Sequence, residues 1–232
     1  MDFIIYFLGS LYMISALFRF SDSYAKRFLK QYKSIDRKNF ERIDEIIYST
    51  IHTLFILFLS GYSLRQNIFS IDFYQERALP NEAMKLTLMI SLSYFTLDLV
   101  KCITRLNMIF ILHHLCAINL LLYSAYSFSE KYYEGSFVMA YLLLLECNTP
   151  LMNLGLLLKM MNFDYTVYGS VWILHLISYT LCRLIMIPYV TYYYSLHNGI
   201  DYYQIPNLFI IYGGSCYWAY KQLCGVQKRL IK

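Results

Sequence analysis

Charge is scarce in this chain of 232 residues, since only 15% of them are Asp, Glu, Lys or Arg. A soluble domain usually carries about a quarter charged residues. Glycine-rich phosphate loops, internal repeats and low-complexity tracts are also missing from the sequence. These absences argue against a P-loop nucleotide-binding protein, a repeat protein and a disordered chain. With 58% hydrophobic residues, the composition predicts a single-domain integral membrane protein.

The six cysteines form no pattern that indicates a disulfide framework or a zinc site. Five lie inside apolar segments, and Cys224 follows the last of them. Cys224 is a candidate for palmitoylation, but a plain buried or idle thiol is the favoured interpretation. The cysteines therefore predict no metal site.

Long apolar runs predict an all-α fold with about seven transmembrane helices, because roughly 20 apolar residues suffice to cross a bilayer. The first run has no basic segment before it and is followed at once by positive charge, which is typical of a retained signal anchor. The predicted spans are Phe3–Phe20, Ile46–Leu64, Ala83–Ile103, Met108–Phe128, Phe137–Met160, Val167–Tyr193 and Ile205–Tyr220.

The distribution of basic residues predicts the orientation. With the N-terminus lumenal, fifteen Lys and Arg residues lie on the cytosolic side and four on the lumenal side, as the positive-inside rule requires. Seven of the fifteen fall between Ser21 and Glu45, namely Lys26, Arg27, Lys30, Lys33, Arg37, Lys38 and Arg42. So short a tethered segment cannot form a nucleic-acid recognition fold, so we interpret it as a topology signal beside anionic lipid and predict no nucleic-acid partner.

The stretch LLLLECNTPLMNL, Leu142–Leu154, carries polar groups at mid-depth of the fifth predicted span. Glu146 in such a run costs about 2.5–3.5 kcal/mol on insertion scales, which makes an accidental carboxylate improbable. Pro150 has no N–H, so the carbonyl of Glu146 loses its usual helical partner. Asn153, seven residues after Glu146, lies almost on the same helical face. This helix is expected to carry either a functional site or a structural cluster of polar contacts.

Other titratable residues also fall within predicted spans: His52, Asp98, His113, His114, His175 and Arg183. At about 1.5 Å per helical residue, five spans each place such a group in the cytosolic half, whereas Arg183 falls in the lumenal half. Intramembrane ionisable residues usually face the bundle interior. The pattern therefore predicts a central polar cavity that opens toward the cytosol.

Each of these residues also has a structural interpretation. His52 and His175 suit interhelical hydrogen bonds, Asp98 can pair with Lys101 one turn on, and Arg183 can act as a counter-ion or a staple. Adjacent residues on a helix point about 100° apart, so the pair His113–His114 suggests a reactive imidazole beside a positioning one. That spacing does not suit a metal site of HEXXH type, in which both ligands share a face.

Four blocks resemble the TLC-domain family, the multispan membrane proteins that include the ceramide synthases, the translocating-chain-associated membrane protein and small orphan TLC-domain proteins. The blocks are SYFTLDLVK with Asp98, FILHHLCAI with His113 and His114, LECNTPLMNL, and RLIMIPY with Arg183. Their order and spacing look closest to the orphan branch. The resemblance runs from about Glu41 to the end, so we predict a first helix and basic cytosolic loop over residues 1–40 and a TLC domain over residues 41–232.

The resemblance implies the endoplasmic reticulum membrane and a role in lipid metabolism or homeostasis. In ceramide synthases the paired histidines serve acyl transfer from acyl-CoA to a sphingoid amine. This implies catalytic roles for His113, His114, Asp98 and Glu146, and substrate contacts for Asn153, Arg183, His175 and His52. The chain departs from the ceramide-synthase motif at Ala117, where a threonine would follow the histidines, and no Asp-x-x-Asp follows.

Two functions therefore stay open. The first is an acyl-CoA-dependent N-acyltransferase that acts on a lipid amine, with acyl-CoA as co-substrate and no metal. The second is a non-enzymatic lipid-binding protein or regulator of membrane composition that uses the same cavity. A transporter is disfavoured, since the sequence suggests neither inverted repeats nor paired broken helices. Membrane lipids and fatty acyl-CoA are the expected partners, and a homodimer stays open.

Overall fold

A computed structural model describes residues 2–31, 37–64, 82–129, 139–140, 142–198 and 204–230. Within these ranges the chain is helical and contains no strand, which confirms the all-α prediction. The regular helices are α1 (Asp2–Gln31), α2 (Arg37–Leu64), α3 (Glu82–Thr104), α4 (Met108–Ser129), α5 (Thr149–Met160), α6 (Tyr165–Tyr179), α7 (Ile187–Asn198) and α8 (Ile205–Leu230). A 3₁₀ turn (Leu145–Asn148) precedes α5, and a π-helical segment (Thr180–Met186) joins α6 to α7.

Five stretches of the described chain are long and apolar enough to cross a membrane. They are Ile4–Tyr24, Arg42–Leu64, Glu82–Thr104, Met108–Tyr126 and Tyr165–Tyr192, and they coincide with five of the predicted spans. The segment predicted as Ile205–Tyr220 is helical but is not among the five. The segment predicted as Phe137–Met160 lies partly outside the described residues, and its described part is interrupted by the 3₁₀ turn.

The basic segment predicted as a loop is largely helical. Helix α1 continues to Gln31, and α2 already begins at Arg37, while Lys33 lies outside the described residues. Lys, Arg and Glu are good helix formers, so the charged residues after the first apolar run extend the helix instead of ending it. The loop prediction was therefore wrong over most of its length.

Helix α3 lies at the centre of the bundle, where it packs against α1, α2 and α4. Its apolar side chains Leu88, Met89 and Ile90 are each 1% exposed. The buried hydroxyls on the same helix belong to small residues, such as Ser91 and Ser93. Small side chains allow helix backbones to approach closely, which explains how one helix packs against three neighbours.

The segment that ends in α5 runs from one end of the bundle to the other. Ala140 packs with Leu64, the last residue of α2, and with Met84, near the start of α3. Lys159 lies at the opposite end, beside Arg42 and Arg105. At Gly155, α5 approaches α6 so closely that a Cβ atom would lie 3.2 Å from the indole nitrogen of Trp172.

Two prolines coincide with the two irregular helical segments. Pro150 cannot donate to the Glu146 carbonyl, and the N–H of Thr149 donates to it in a 3₁₀ arrangement. Pro188 likewise cannot bond the carbonyl four residues before it, and the N–H of Ile187 donates to the Cys182 carbonyl in the π arrangement. The two irregular segments contact each other.

Candidate functional site

A cavity of about 440 Å³ lies between the helices, and we call it the inner cavity. Six of its lining residues are titratable groups named from the sequence: His52, Asp98, His113, His114, Glu146 and Arg183. Aromatic side chains form much of the remaining wall, among them Tyr94, Phe95, Phe110, Trp172, Tyr179 and Trp218. The walls therefore combine an apolar surface with a small number of polar groups, which is typical of a ligand site.

Asp98 of α3 and His114 of α4 form an ion pair, with Nε2 of His114 at 2.7 Å from Oδ2 of Asp98. The Nδ1 of His114 lies 2.6 Å from the carbonyl oxygen of Phe110. A carbonyl only accepts, so Nδ1 carries a proton and a second proton is shared between Nε2 and the carboxyl group. Both ring nitrogens are thus occupied. The hydroxyl of Tyr48 on α2 donates to the other Asp98 oxygen, so three helices hold this group in place.

His113 differs from its neighbour because it forms no hydrogen bond with the described residues. Its Nδ1 is fully buried without a partner, and the residue lines the inner cavity. The ring is held by edge-on aromatic contacts. Its centroid lies 5.2 Å from that of Trp218 and 6.4 Å from that of Phe95. One histidine is therefore fixed by polar bonds, and the other lines the cavity with no hydrogen bond to the described residues.

Glu146 and Arg183 form an ion pair across the two irregular segments. Their side chains are 19% and 12% exposed, and the hydroxyl of Thr149 donates to Glu146 Oε2 at 3.0 Å. Sequence spacing assigned Arg183 to the lumenal half, away from Glu146, but the two residues are in contact. Distance along a span, counted from its ends, therefore did not predict this contact.

His52 lies in the wall of the inner cavity and stacks face to face on Tyr94, with ring centroids 3.6 Å apart. Its Nε2 is buried and has no hydrogen-bond partner among the described residues. The ring therefore contributes to the cavity wall through its stacking on Tyr94, and its Nε2 is shielded by the surrounding side chains.

Two predicted substrate contacts, His175 and Asn153, do not line the inner cavity. His175 is fully buried, and its Nδ1 donates to the carbonyl oxygen of Asn148 at 3.1 Å. The amide of Asn153 donates to Thr50 Oγ1 on α2 at 2.8 Å. His175 therefore stabilises the 3₁₀ turn through a hydrogen bond to its last residue, whereas Asn153 joins α5 to α2.

A second cavity of about 680 Å³ adjoins the first and shares Ser49, Tyr94 and Asp98 with its lining. We call it the vestibule. Four basic side chains line it: Arg42, Lys101, Arg105 and Lys159. Lys101 pairs with Asp44 at 3.5 Å, not with Asp98, and Arg105 pairs with Glu45. Arg42 and Lys159 form no ion pair with a described residue, so they are available to an anionic ligand.

One group of described residues has the spacing of metal ligands. Cys102, Asp98 and His114 place their ligand atoms within 4.8 Å of one another. The short bond between His114 and Asp98 occupies the two atoms that a metal would need, so hydrogen bonding accounts for this arrangement without a metal.

Sequence reasoning missed Tyr48, Trp172 and Trp218. Tyr48 precedes His52 by four residues and shares its helical face, a signal that was present in the sequence. Trp172 and Trp218 are the two tryptophans of the chain, and both line the inner cavity. No sequence signal indicated that Cys147 and Cys182 would meet, with their sulfur atoms 3.3 Å apart.

The model of the TLC domain matches residues 42–223. Because the match covers most of the chain, the protein belongs to the TLC-domain family, as the four sequence blocks indicated. The family, together with five helices long and apolar enough to cross a membrane, fits a multipass membrane protein with a lipid-related function. Comparisons with curated proteins and with solved structures found no significant match.

The Glu146–Arg183 pair predicts a thermodynamic coupling. In Glu146→Gln or Arg183→Met alone, one buried charge loses its partner, and such losses cost about 3–5 kcal/mol. The double variant Glu146→Gln/Arg183→Met removes both charges, and we expect it to be less destabilised than the sum of the two single variants. Thermal unfolding of the purified protein in detergent micelles measures all three.

Lys85→Met is the matched control, because Lys85 lies outside both cavities and rests over the Tyr6 ring. We expect this variant to change stability little. Strictly additive losses in the double variant would show that Glu146 and Arg183 do not depend on each other.

Proposed function

We propose that the protein is an acyl-CoA-dependent N-acyltransferase that acts on a lipid amine, with His113 as its reacting imidazole. The observation that carries the proposal is the unequal state of the two histidines. His114 has both ring nitrogens occupied by Asp98 and Phe110, whereas His113 lines the inner cavity and forms no hydrogen bond with the described residues. A neutral imidazole among apolar side chains is a competent nucleophile or general base.

In the nucleophilic form of the reaction, Nε2 of His113 attacks the thioester carbonyl and the CoA thiolate leaves. The lipid amine then attacks the acyl-imidazole, so that an amide forms, the imidazole is released and the amine proton passes to the CoA thiolate. As a general base, His113 instead takes the proton of the amine while the amine attacks the thioester directly, and it then gives that proton to the departing CoA thiolate. Asp98 and His114 keep the adjacent helical turn in place, and Glu146 with Arg183 supplies further polar groups to the cavity wall.

The vestibule supports acyl-CoA as the co-substrate. CoA carries several phosphate charges, and Arg42 and Lys159 are two cations without an ion-pair partner among the described residues. If the CoA phosphates bind in the vestibule, the attached acyl chain extends into the aromatic inner cavity, because the two cavities share lining residues. The thioester would then lie near His113.

The second candidate is a non-enzymatic lipid-binding protein. Its support is the departure from the ceramide-synthase motif at Ala117, a residue that is 5% exposed and packed in the core, together with the aromatic walls of the inner cavity. Such a protein would hold a lipid in the same place without a chemical step. The acyltransferase would need His113 to form its product. The lipid-binding protein would form no product and would bind its lipid without His113.

The proposed reaction predicts the effect of replacing His113. We expect His113→Asn to lower amide formation by about 100-fold or more, since a positioned imidazole typically contributes 10²–10⁴-fold. Purified protein is incubated with radiolabelled acyl-CoA and a panel of long-chain amines, and the lipid products are separated. His175→Asn serves as the matched histidine control, because His175 does not line the inner cavity.

Loss of product in both histidine variants would point to misfolding, and the unfolding temperature of each variant distinguishes that case. The other informative result is a folded wild-type protein that binds a photoactivatable lipid but forms no amide with any amine. That result would overturn the acyltransferase proposal in favour of the lipid-binding protein.

A further prediction concerns the vestibule. We expect Arg42→Gln/Lys159→Gln to raise KM for acyl-CoA several-fold with kcat nearly unchanged, because these side chains contact a part of the substrate away from the reacting bond. The effect should shrink at high salt, as exposed charges are screened within about 10 Å at 0.1 M. Lys85→Gln is the control. An unchanged KM would exclude the vestibule as the site of the CoA phosphates.

We further propose seven membrane crossings in the endoplasmic reticulum, with the N-terminus lumenal and the C-terminus cytosolic. The passage of the chain from Ala140 to Lys159 along the whole bundle supports a crossing there, and α8 has the length for another. The excess of basic residues on one side supports the orientation.

The topology predicts opposite accessibility of the two ends. An N-glycosylation acceptor fused before Met1 should be glycosylated in microsomes, and one fused after Lys232 should not. A control fusion at Asn162, between α5 and α6, should also stay unmodified, because the turn is cytosolic in the proposed arrangement. Glycosylation at Asn162 would contradict the crossing by residues 140–159.

A further inference from the structure

Two free thiols from different helical segments lie in contact next to the ion pair. Cys147 follows Glu146 in the 3₁₀ turn, and Cys182 precedes Arg183 in the π segment, with Sγ atoms 3.3 Å apart. Cys147 is exposed and Cys182 is partly buried. Among the cysteines that the structure describes, these two are the pair in sulfur contact.

The backbone around the thiols can adjust to a shorter sulfur–sulfur distance. A disulfide bond measures about 2.05 Å, so the sulfur atoms must approach by roughly 1.2 Å, which side-chain rotation and a small backbone shift can provide. The 3₁₀ and π segments lack part of the regular helical hydrogen-bond pattern, which makes such a shift less costly there than within a regular α-helix.

The position of Cys182 limits which oxidants can reach it. It lies ten residues before Tyr192, the end of the apolar stretch Tyr165–Tyr192, or about 15 Å along the helix. That depth is within the hydrocarbon region of a bilayer. Water-soluble disulfides such as oxidised glutathione are poorly soluble there, whereas hydroperoxides of fatty acyl chains form within that region.

We propose that Cys147 and Cys182 are a reversible redox pair that is oxidised to a disulfide by lipid hydroperoxides. The exposed Cys147 thiol attacks the peroxide oxygen, giving a sulfenic acid and the lipid alcohol, with the thiol proton passing to the alcohol oxygen. The Cys182 thiol then displaces the hydroxyl group as water, and the S–S bond forms. Two thiols thus lose two electrons, which reduce one O–O bond.

The disulfide would fix the wall that holds Glu146 and Arg183. Each cysteine is adjacent in sequence to one member of the ion pair, so a covalent link between the sulfur atoms also restrains the distance between the two charged side chains. The link closes a loop of 36 residues, and a loop of that length restricts the unfolded chain substantially. Oxidation should therefore raise thermal stability. This inference does not depend on acyltransferase activity.

The test uses the full-length protein in lipid nanodiscs, treated with cumene hydroperoxide as an apolar peroxide or with oxidised glutathione as a polar oxidant. We expect peptide mapping to find a Cys147–Cys182 cross-link, about 2 Da lighter than the two thiol peptides together, after cumene hydroperoxide. Oxidised glutathione should give several-fold less. Dithiothreitol should restore both thiols, and the cross-linked protein should unfold about 5 °C or more higher.

Cys147→Ser and Cys182→Ser should each abolish the cross-link and the stability increase, whereas Cys216→Ser, at an exposed cysteine of α8, should preserve both. Because the mapping is done on the wild-type chain, a variant that fails to fold does not decide the result. Oxidation of Cys147 to sulfinic acid without any link to Cys182 would overturn the proposal. Equal yields of links to other cysteines, or a faster reaction with oxidised glutathione, would also overturn it.

Discussion

A charge inside an apolar bundle is costly unless it is paired, and the Glu146–Arg183 pair satisfies this constraint at the contact of two irregular helical segments. The carboxylate receives both the guanidinium group and the Thr149 hydroxyl. Without these partners, a carboxylate at that depth would cost several kcal/mol. The irregular segments that carry the two residues can be understood as the backbone arrangement that makes the pairing possible.

Proline explains why these helices are irregular at the charged residues. Pro150 and Pro188 each follow a member of the pair by four or five residues, and each withdraws one N–H from the helical pattern. The chain replaces the lost hydrogen bonds with a 3₁₀ turn before Pro150 and with a π-helical turn before Pro188. Non-helical backbone within a membrane is tolerated where it is buried in protein or lines a cavity, and Glu146, Asn148 and Arg183 line the inner cavity here.

The sequence predicted the helical class, the family and the polar residues that would matter, because each of these leaves a local signal. Long apolar runs identify spans, and a carboxylate or histidine within such a run is visible by inspection. Pairings between helices leave no such signal. Nothing in the spacing indicated that Asp98 pairs with His114 instead of Lys101, that Arg183 reaches Glu146, or that Cys147 meets Cys182, since each contact depends on how the helices rotate and tilt against each other.

The roles of the two adjacent histidines illustrate how little rotation separates a structural group from a candidate reactive one. A step of one residue turns a side chain by about 100° around the helix. That step is enough to direct His114 to Asp98 on α3 while His113 lies against the ring of Trp218 on α8. A ring bonded at both nitrogens resists movement and proton exchange, so it suits positioning. A ring held only by aromatic edges keeps a free lone pair, and in the proposed acyl transfer this lone pair is the feature that a purely lipid-binding cavity would not require.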